Sequence, residues 1–349
     1  MRTILVTVGT SLVTNAQRTL NRKDLTEQDI AGFLRHTDPK RASAETNSLS
    51  RLLEEGDRLV FLHSQTEEGH FCAEALRRHY GSLGYHTDAC EIPDLTYAES
   101  RFKMRGLRSL VATLIEHVRR TRGEGHEILI NATGGFKAEI AYATLVGLLF
   151  DVPVFYIHEA FRDVIQMPPS PISWDYSMLA DHEDFFEWVN SELRPTAEVD
   201  SRLKKLPDRD KLHLLLVEEE GYTFLSPAGE AFYEAYRGRL QQAEQVPVWL
   251  SSAAHETYRH AAPDHRSRFD RALRKIRLRE LRIGNSDRVG NSDCLVFPKG
   301  HRDERLFYFE DDRGNIYVCE LTLHSDGSYE RAIRAGVMRK NYRGWTSFP

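Results

Sequence analysis

No stretch of this 349-residue chain approaches the roughly 20 consecutive apolar residues of a membrane span, so no spanning helix is expected. Met1-Arg2 leads straight into the strand-like Thr3–Val8 and not into a signal peptide, which points to a cytoplasmic protein. Cysteine is scarce: Cys72, Cys90, Cys294 and Cys319 show no CxxC spacing and no metal-like pairing with histidine, so they are read as reduced and structural, with no metal or other cofactor. Two nucleotide fingerprints are also missing, the GxGxxG of dinucleotide folds and the GxxxxGK[ST] of a P-loop, which argues against NAD and ATP as ligands. At this length two or three domains of about 100–200 residues fit.

Charge is unevenly spread. Residues 246–349 hold 19 Lys and Arg against 14 Asp and Glu, leaving 28 against 38 for residues 1–245. The C-terminal segment is therefore the one better suited to meet a polyanion.

From residue 1 to about 175, β-branched apolar runs (Ile4–Val8, Arg58–His63, Ile128–Asn131, Val152–Ile157) alternate with helical stretches (Ser43–Glu55, Phe71–Tyr80, Phe102–Arg119, Lys137–Leu149). This alternation predicts an α/β domain with a Rossmann-like parallel sheet and helices on both faces. Ligands of such sheets sit outside the carboxyl ends of the strands, where strand order reverses. Two segments fall at such ends, Gly9-Thr10-Ser11-Leu12-Val13-Thr14-Asn15 and Asn131-Ala132-Thr133-Gly134-Gly135-Phe136-Lys137. Glycines allow close backbone approach, hydroxyls donate, and a helix N-terminus beside a lysine attracts anions. The pair reads as a phosphate cradle, against the plainer reading of a tight turn with a Thr cap.

The strings "TVGTSLVTN" and "NATGGFKAE", with "SAETNSLSRL" between them, resemble the CRISPR-associated Rossmann fold (CARF) domain, the sensor of cyclic oligoadenylates made by type III CRISPR complexes. The resemblance covers about residues 1–165. It implies a homodimer that binds one ring-shaped messenger, most often cyclic tetra-adenylate, across its two-fold axis. Gly9, Thr10, Ser11, Asn15, Asn131, Thr133, Gly134, Gly135 and Lys137 would be the contacts. Some CARF domains also cleave their messenger without metal; Ser11 and Lys137 stand where such ring-nuclease chemistry would need them.

Residues 176–245 read as a connector. An acidic helix over Asp181–Leu193 ends at Pro195, then a helix over 210–219, the strand Tyr222–Leu225 and a helix opened by Ser226-Pro227 resemble a winged helix-turn-helix. Glu218-Glu219-Glu220 would repel DNA phosphates, which favours a dimerising spacer over a DNA-binding regulator.

Residues 246–349 predict a basic helix over Arg266–Leu281, strands at Cys294–Phe297, Arg305–Phe309 and Ile316–Leu323, and a hairpin turn at Asp312-Arg313-Gly314-Asn315. "FDRALRKIRLREL" followed by "CLVFPKGHRDERLFYFEDDRGNIYVCELTLHSDGSYERAI" resembles RelE-type messenger-RNA interferases, a small α+β fold with an antiparallel sheet. That resemblance implies a metal-independent endoribonuclease acting on ribosome-bound mRNA by attack of a ribose 2′-hydroxyl. It assigns Arg305 to phosphate stabilisation and makes Lys299, His301, His324, Arg331 and Tyr342 further catalytic candidates; no tidy KxK pair is present. The alternative enzyme is an all-helical HEPN ribonuclease using Arg259 and His265. A carboxylate metal nuclease is disfavoured because "CEL" at 319–321 lacks the lysine of a Glu-x-Lys strand.

Overall fold

Strands that hide both faces in a parallel sheet need near-continuous apolar sequence, and the N-terminal runs supply it. A computed structural model describes residues 1–96, 102–157, 163–167, 174–207, 209–300 and 302–349. In it β1 (Arg2–Val8), β2 (Arg58–Ser64), β3 (His86–Ile92), β4 (Glu127–Asn131), β5 (Val154–Tyr156) and β6 (Ile165–Met167) form one sheet in the order β3-β2-β1-β4-β5-β6. The pairs from β3 to β5 are parallel and β6 runs antiparallel to β5. Helices α1 (Ser11–Leu20), α2 (Glu27–His36), α3 (Pro39–Ala42), α4 (Ala44–Leu52), α5 (Glu67–Ser82), α6 (Leu107–Gly123) and α7 (Lys137–Phe150) connect the strands, and a π-helical turn, Phe102–Gly106, precedes α6. Ile4, Val6, Leu12, Phe61, Cys72 and Leu76 are fully covered in the core; each large apolar side chain so buried contributes about 1.5–3 kcal/mol. The four cysteines are free thiols.

Three elements differ from expectation. Residues 11–20 form a helix absent from the expected helical stretches: Leu12, Val13 and Ala16 make an apolar stripe beneath the polar face. The helix anticipated over 210–219 ends at His213, and Leu216–Glu219 is a strand, because Glu220 (φ 52°) and Gly221 (φ 80°) make a two-residue hairpin turn with Tyr222 paired to Glu219. The basic helix over Arg266–Leu281 is broken at Ile276–Leu278, where Arg282 Nη1 donates to the Ile276 and Arg277 carbonyls that helix would otherwise have satisfied.

Contacts divide the chain into two compact units, Met1–Pro171 with Glu187–Ala235, and Ile172–Phe186 with Tyr236–Pro349. Helix α8 (Ser177–Asp181) belongs to the second unit, and α9 (Glu183–Ser191) runs across the division. The first unit is completed by β7 (Arg194–Pro195), α10 (Thr196–Leu203), α11 (Arg209–His213), β8 (Leu216–Glu219) and β9 (Tyr222–Leu225), with a small sheet in the order β7-β9-β8. Ser226 Oγ accepts the Gly229 N–H and starts α12 (Pro227–Ala243), which also crosses the division.

The second unit is built on β10 (Val248–Leu250), β11 (Asp287–Arg288), β12 (Leu295–Phe297), β13 (Glu304–Glu310), β14 (Ile316–Leu323) and β15 (Thr346–Phe348), ordered β11-β12-β13-β14-β10-β15. All pairs are antiparallel except β10 with β14, which departs from the purely antiparallel expectation. Helices α13 (Ser252–His260), α14 (Pro263–Lys275), α15 (Arg279–Gly284) and α16 (Ser328–Ala335) accompany it. This sheet rules out the all-helical alternative built on Arg259 and His265.

Candidate functional site

Strand order reverses between β1 and β4, and the two segments singled out in the sequence meet there. A Cβ placed on Gly9 would lie 2.7 Å from the backbone nitrogen of Gly135, so the turns after the two strands are in backbone contact. Thr7 Oγ1 donates to the Gly134 carbonyl at 2.6 Å and pins the second turn to the first strand. Ser11 and Asn15 belong to α1: Ser11 Oγ accepts the Ala44 N–H at 3.0 Å, and Asn15 Nδ2 donates to the carbonyls of Arg41 and Ala42.

The two consecutive glycines are explained by two buried carboxyl groups that the sequence reading passed over. Glu45 on α4 is fully buried; its carboxylate accepts the Gly9 N–H at 2.8 Å and Ser11 Oγ lies 3.4 Å from it. A Cβ on Gly134 would fall 2.1 Å from Glu45 Oε1 and 2.5 Å from the Thr7 carbonyl. Glu139, at the third position of α7, is 3% exposed, and a Cβ on Gly135 (φ 89°) would fall 2.2 Å from its Oε2. Burial raises both carboxyls above their ordinary range, Glu139 to about 7, opposed in Glu45 chiefly by the Gly9 N–H and in Glu139 by the Phe136 N–H. A sequence signal for Glu139 did exist: a glutamate three residues after a helix N-cap is half of a capping box.

Other expected contacts divide into inward and outward groups. Asn131 is fully buried, donating to Ser48 Oγ at 2.7 Å and accepting from Thr133 Oγ1 at 2.7 Å, so it braces the turn from behind. Lys137 is exposed at the first position of α7, a 14-residue helix whose N-cap residue, Phe136, supplies no side-chain cap. Its first-turn N–H groups and the lysine charge thus follow directly on the Gly134-Gly135 turn, a setting that favours anion binding. Thr10 and Ser11 are half-buried beside it.

In the second unit two of the anticipated catalytic residues, Arg305 and His324, both stand against the Tyr329 ring. Arg305 on β13 is 4% exposed and its guanidinium donates to the carbonyls of Gly300, Arg302 and Glu304, beside the Tyr329 ring; burial lowers its pKa. His324 Nδ1 lies 2.8 Å from Glu330 Oε1, and Tyr342 donates its hydroxyl to Glu320 at 2.8 Å, with its pKa raised by burial and by that carboxylate. Lys299 is exposed on the loop after β12, and His301 lies outside the described residues. Arg331, on α16, lines a cleft of about 610 Å³ whose other walls carry His260 and His265, beside Thr257, Thr322 and Glu320. His260 and His265 flank the α13–α14 turn.

Residues 40–170 match the model of a family described as CRISPR-associated protein (Cas_APE2256). Among solved structures, protein VC1899 from Vibrio cholerae is similar at 12% identity over 70% of this chain and 68% of that one, with a TM-score of 0.29. Can2 from Sulfobacillus thermosulfidooxidans in complex with cyclic tetra-adenylate is similar at 11% identity over 70% and 69%, with a TM-score of 0.25. At these TM-scores neither likeness carries an argument. The family match does take in Glu45 and the whole turn from Asn131 to Glu139, so this part of the chain is similar in sequence to a CRISPR-associated family.

Proposed function

We propose that the protein is a type III CRISPR ancillary effector in which a CARF sensor controls a RelE-like messenger-RNA endoribonuclease. The observation that carries the reading is the contact of the Gly9 and Gly135 turns at the point where strand order reverses, with the N-terminus of α7 and a solvent-facing Lys137 beside it. Two such crevices in a homodimer would hold one two-fold symmetric anion, and cyclic tetra-adenylate has that symmetry. Lys137 and the first N–H groups of α7 would hold its phosphates, while Thr10 and Ser11 would offer hydroxyls. Asn131 and Thr133 would keep the turn in shape.

The output is assigned to residues 246–349, with 176–245 as a winged-helix connector. Strand attack by a 2′-hydroxyl needs a base, a cation and an acid around one phosphodiester. The cleft lined by Arg331, His260 and His265 offers all three kinds of group, so it is proposed as the RNA seat; Arg305, which holds the loop after β12, becomes a positioning residue. Messenger binding would favour one of two states of the effector. The test is to incubate the protein with cyclic tetra-adenylate, mRNA and ribosomes, omitting each in turn. Cleavage that persists without the messenger, or never occurs with all three present, removes the reading. Loss of the messenger itself during the incubation would add ring-nuclease activity at Ser11 and Lys137.

A further inference from the structure

The crevice between β1 and β4 contains a group that anion binding alone does not call for. Glu139 is 3% exposed, its Oε1 has no hydrogen-bond partner, and its Oε2 occupies the space a side chain on Gly135 would fill. The carboxyl's one backbone donor among the described residues is the Phe136 N–H, whereas the neighbouring buried carboxyl, Glu45, accepts the Gly9 N–H with Ser11 beside it. An acid held against the turn that receives a phosphate would repel it when ionised and donate to it when protonated. The protonated form is the one that a bound polyanion favours.

We propose that Glu139 is a further binding residue of the messenger site: it carries a proton in the complex, donates it in a hydrogen bond to a phosphate oxygen, and takes that proton up from solvent when the messenger binds. No covalent bond changes; each Glu139 engaged takes up the fraction of a proton it lacked before binding, approaching one well above pH 7. The inference rests on the messenger-binding reading above. Burial, which holds the free carboxyl near 7, places the effect in the physiological range. Other charged or titratable groups on the elements around Glu139 are Lys137 and Tyr142 on α7, Glu45 and Arg51 on α4, Tyr156 on β5, and Glu116, His117 and the four arginines Arg108, Arg119, Arg120 and Arg122 on α6, which packs along α7. His117 is held below its ordinary value by burial and by Arg120, so it is neutral across most of the window of interest.

The test is calorimetric titration of the full-length protein with cyclic tetra-adenylate between pH 6 and 8.5, in buffers of differing ionisation enthalpy. The expected result is proton uptake on binding and an affinity that falls by about tenfold per pH unit above pH 7 for each carboxyl engaged. Glu139→Gln, which keeps a neutral donor, should bind with an affinity independent of pH. A flat profile in the unaltered protein, or a slope that survives in Glu139→Gln, overturns the inference and leaves Glu139 as a helix cap. If that variant fails to fold, the carboxyl carbon resonance of Glu139 in the unaltered protein decides, because an ionised carboxyl in the complex at pH 7 overturns it equally. Absence of binding at every pH instead removes the messenger-binding reading, and this inference with it.

Discussion

Gly134 has no room for a side chain because Glu45 occupies it: the position a Cβ would take lies 2.1 Å from Glu45 Oε1. The second obstacle there is the backbone carbonyl of Thr7, which cannot rotate away. Gly134→Ala should therefore destabilise the first unit by about 1–3 kcal/mol through overpacking, and weaken cyclic tetra-adenylate binding with it. Thermal melting and titration of the same variant check this; a variant as stable as the parent would mean the carboxyl yields easily.

Lys137 offers the opposite case, a residue whose loss should cost binding and nothing else. Its side chain is exposed, and no hydrogen bond or ion pair among the described residues holds it. Lys137→Ala should lower messenger affinity by about tenfold or more, the value of a charge-assisted hydrogen bond, with an unchanged melting temperature. Unchanged affinity would take Lys137 out of the site.

Arg305 and Arg331 should separate by stability. Truncating Arg305 leaves the carbonyls of Gly300, Arg302 and Glu304 without their donor, so Arg305→Ala should lower stability by about 1–3 kcal/mol as well as abolishing mRNA cleavage. Arg331, exposed where it lines the cleft, should lose cleavage with little change in melting temperature when replaced by alanine. Full cleavage by Arg331→Ala would move the RNA seat elsewhere.

The pH dependence of stability has a definite sign. Glu139 and Glu45 both bind a proton more tightly folded than unfolded, by burial. Their contribution is fully present below the ordinary carboxylate value and is lost as pH rises through the folded one, about 7 for Glu139. That loss is on the order of 3 kcal/mol for Glu139. Melting of the unliganded protein should thus decline between pH 5 and 7.5, and Glu139→Gln should decline less; equal slopes would mean that Glu139 is ionised throughout.

With ribosomes kept intact by magnesium, cleaved mRNA should carry 2′,3′-cyclic phosphate ends, as expected of 2′-hydroxyl attack assisted by histidine and arginine. Products with 5′-phosphate and 3′-hydroxyl ends would revive a carboxylate metal nuclease.

Much of the N-terminal sheet was legible because strands covered on both faces must be apolar throughout, as Ile4–Val8 and Ile128–Asn131 are. The edge strand His86–Ile92 was not, since it is half-exposed along most of its length and carries no such run. Helix α1 escaped notice because Thr14, Asn15 and Gln17 dilute its apolar stripe. At the site, the two turns could be recognised from their glycines and hydroxyls, and they do adjoin. What no spacing conveyed was that Glu45, some 90 residues from Gly134, fills the space beside it; the glycine signal was read as closeness to a ligand when it also records closeness to a carboxyl.

The way the two units exchange chain segments bears on how the protein can be taken apart. Residues 172–186 belong with 236–349, while 187–235 return to the first unit, and two of the three passages lie inside helices, α9 and α12. A fragment cut at residue 246 would leave behind Glu183, whose carboxylate pairs with the nine-tenths-buried Lys275 at 2.7 Å. It would strand that ammonium without its counter-charge, an arrangement that costs several kcal/mol. No single cleavage of the polypeptide yields either unit whole, so the second unit by itself would have to be assembled by splicing two stretches of sequence.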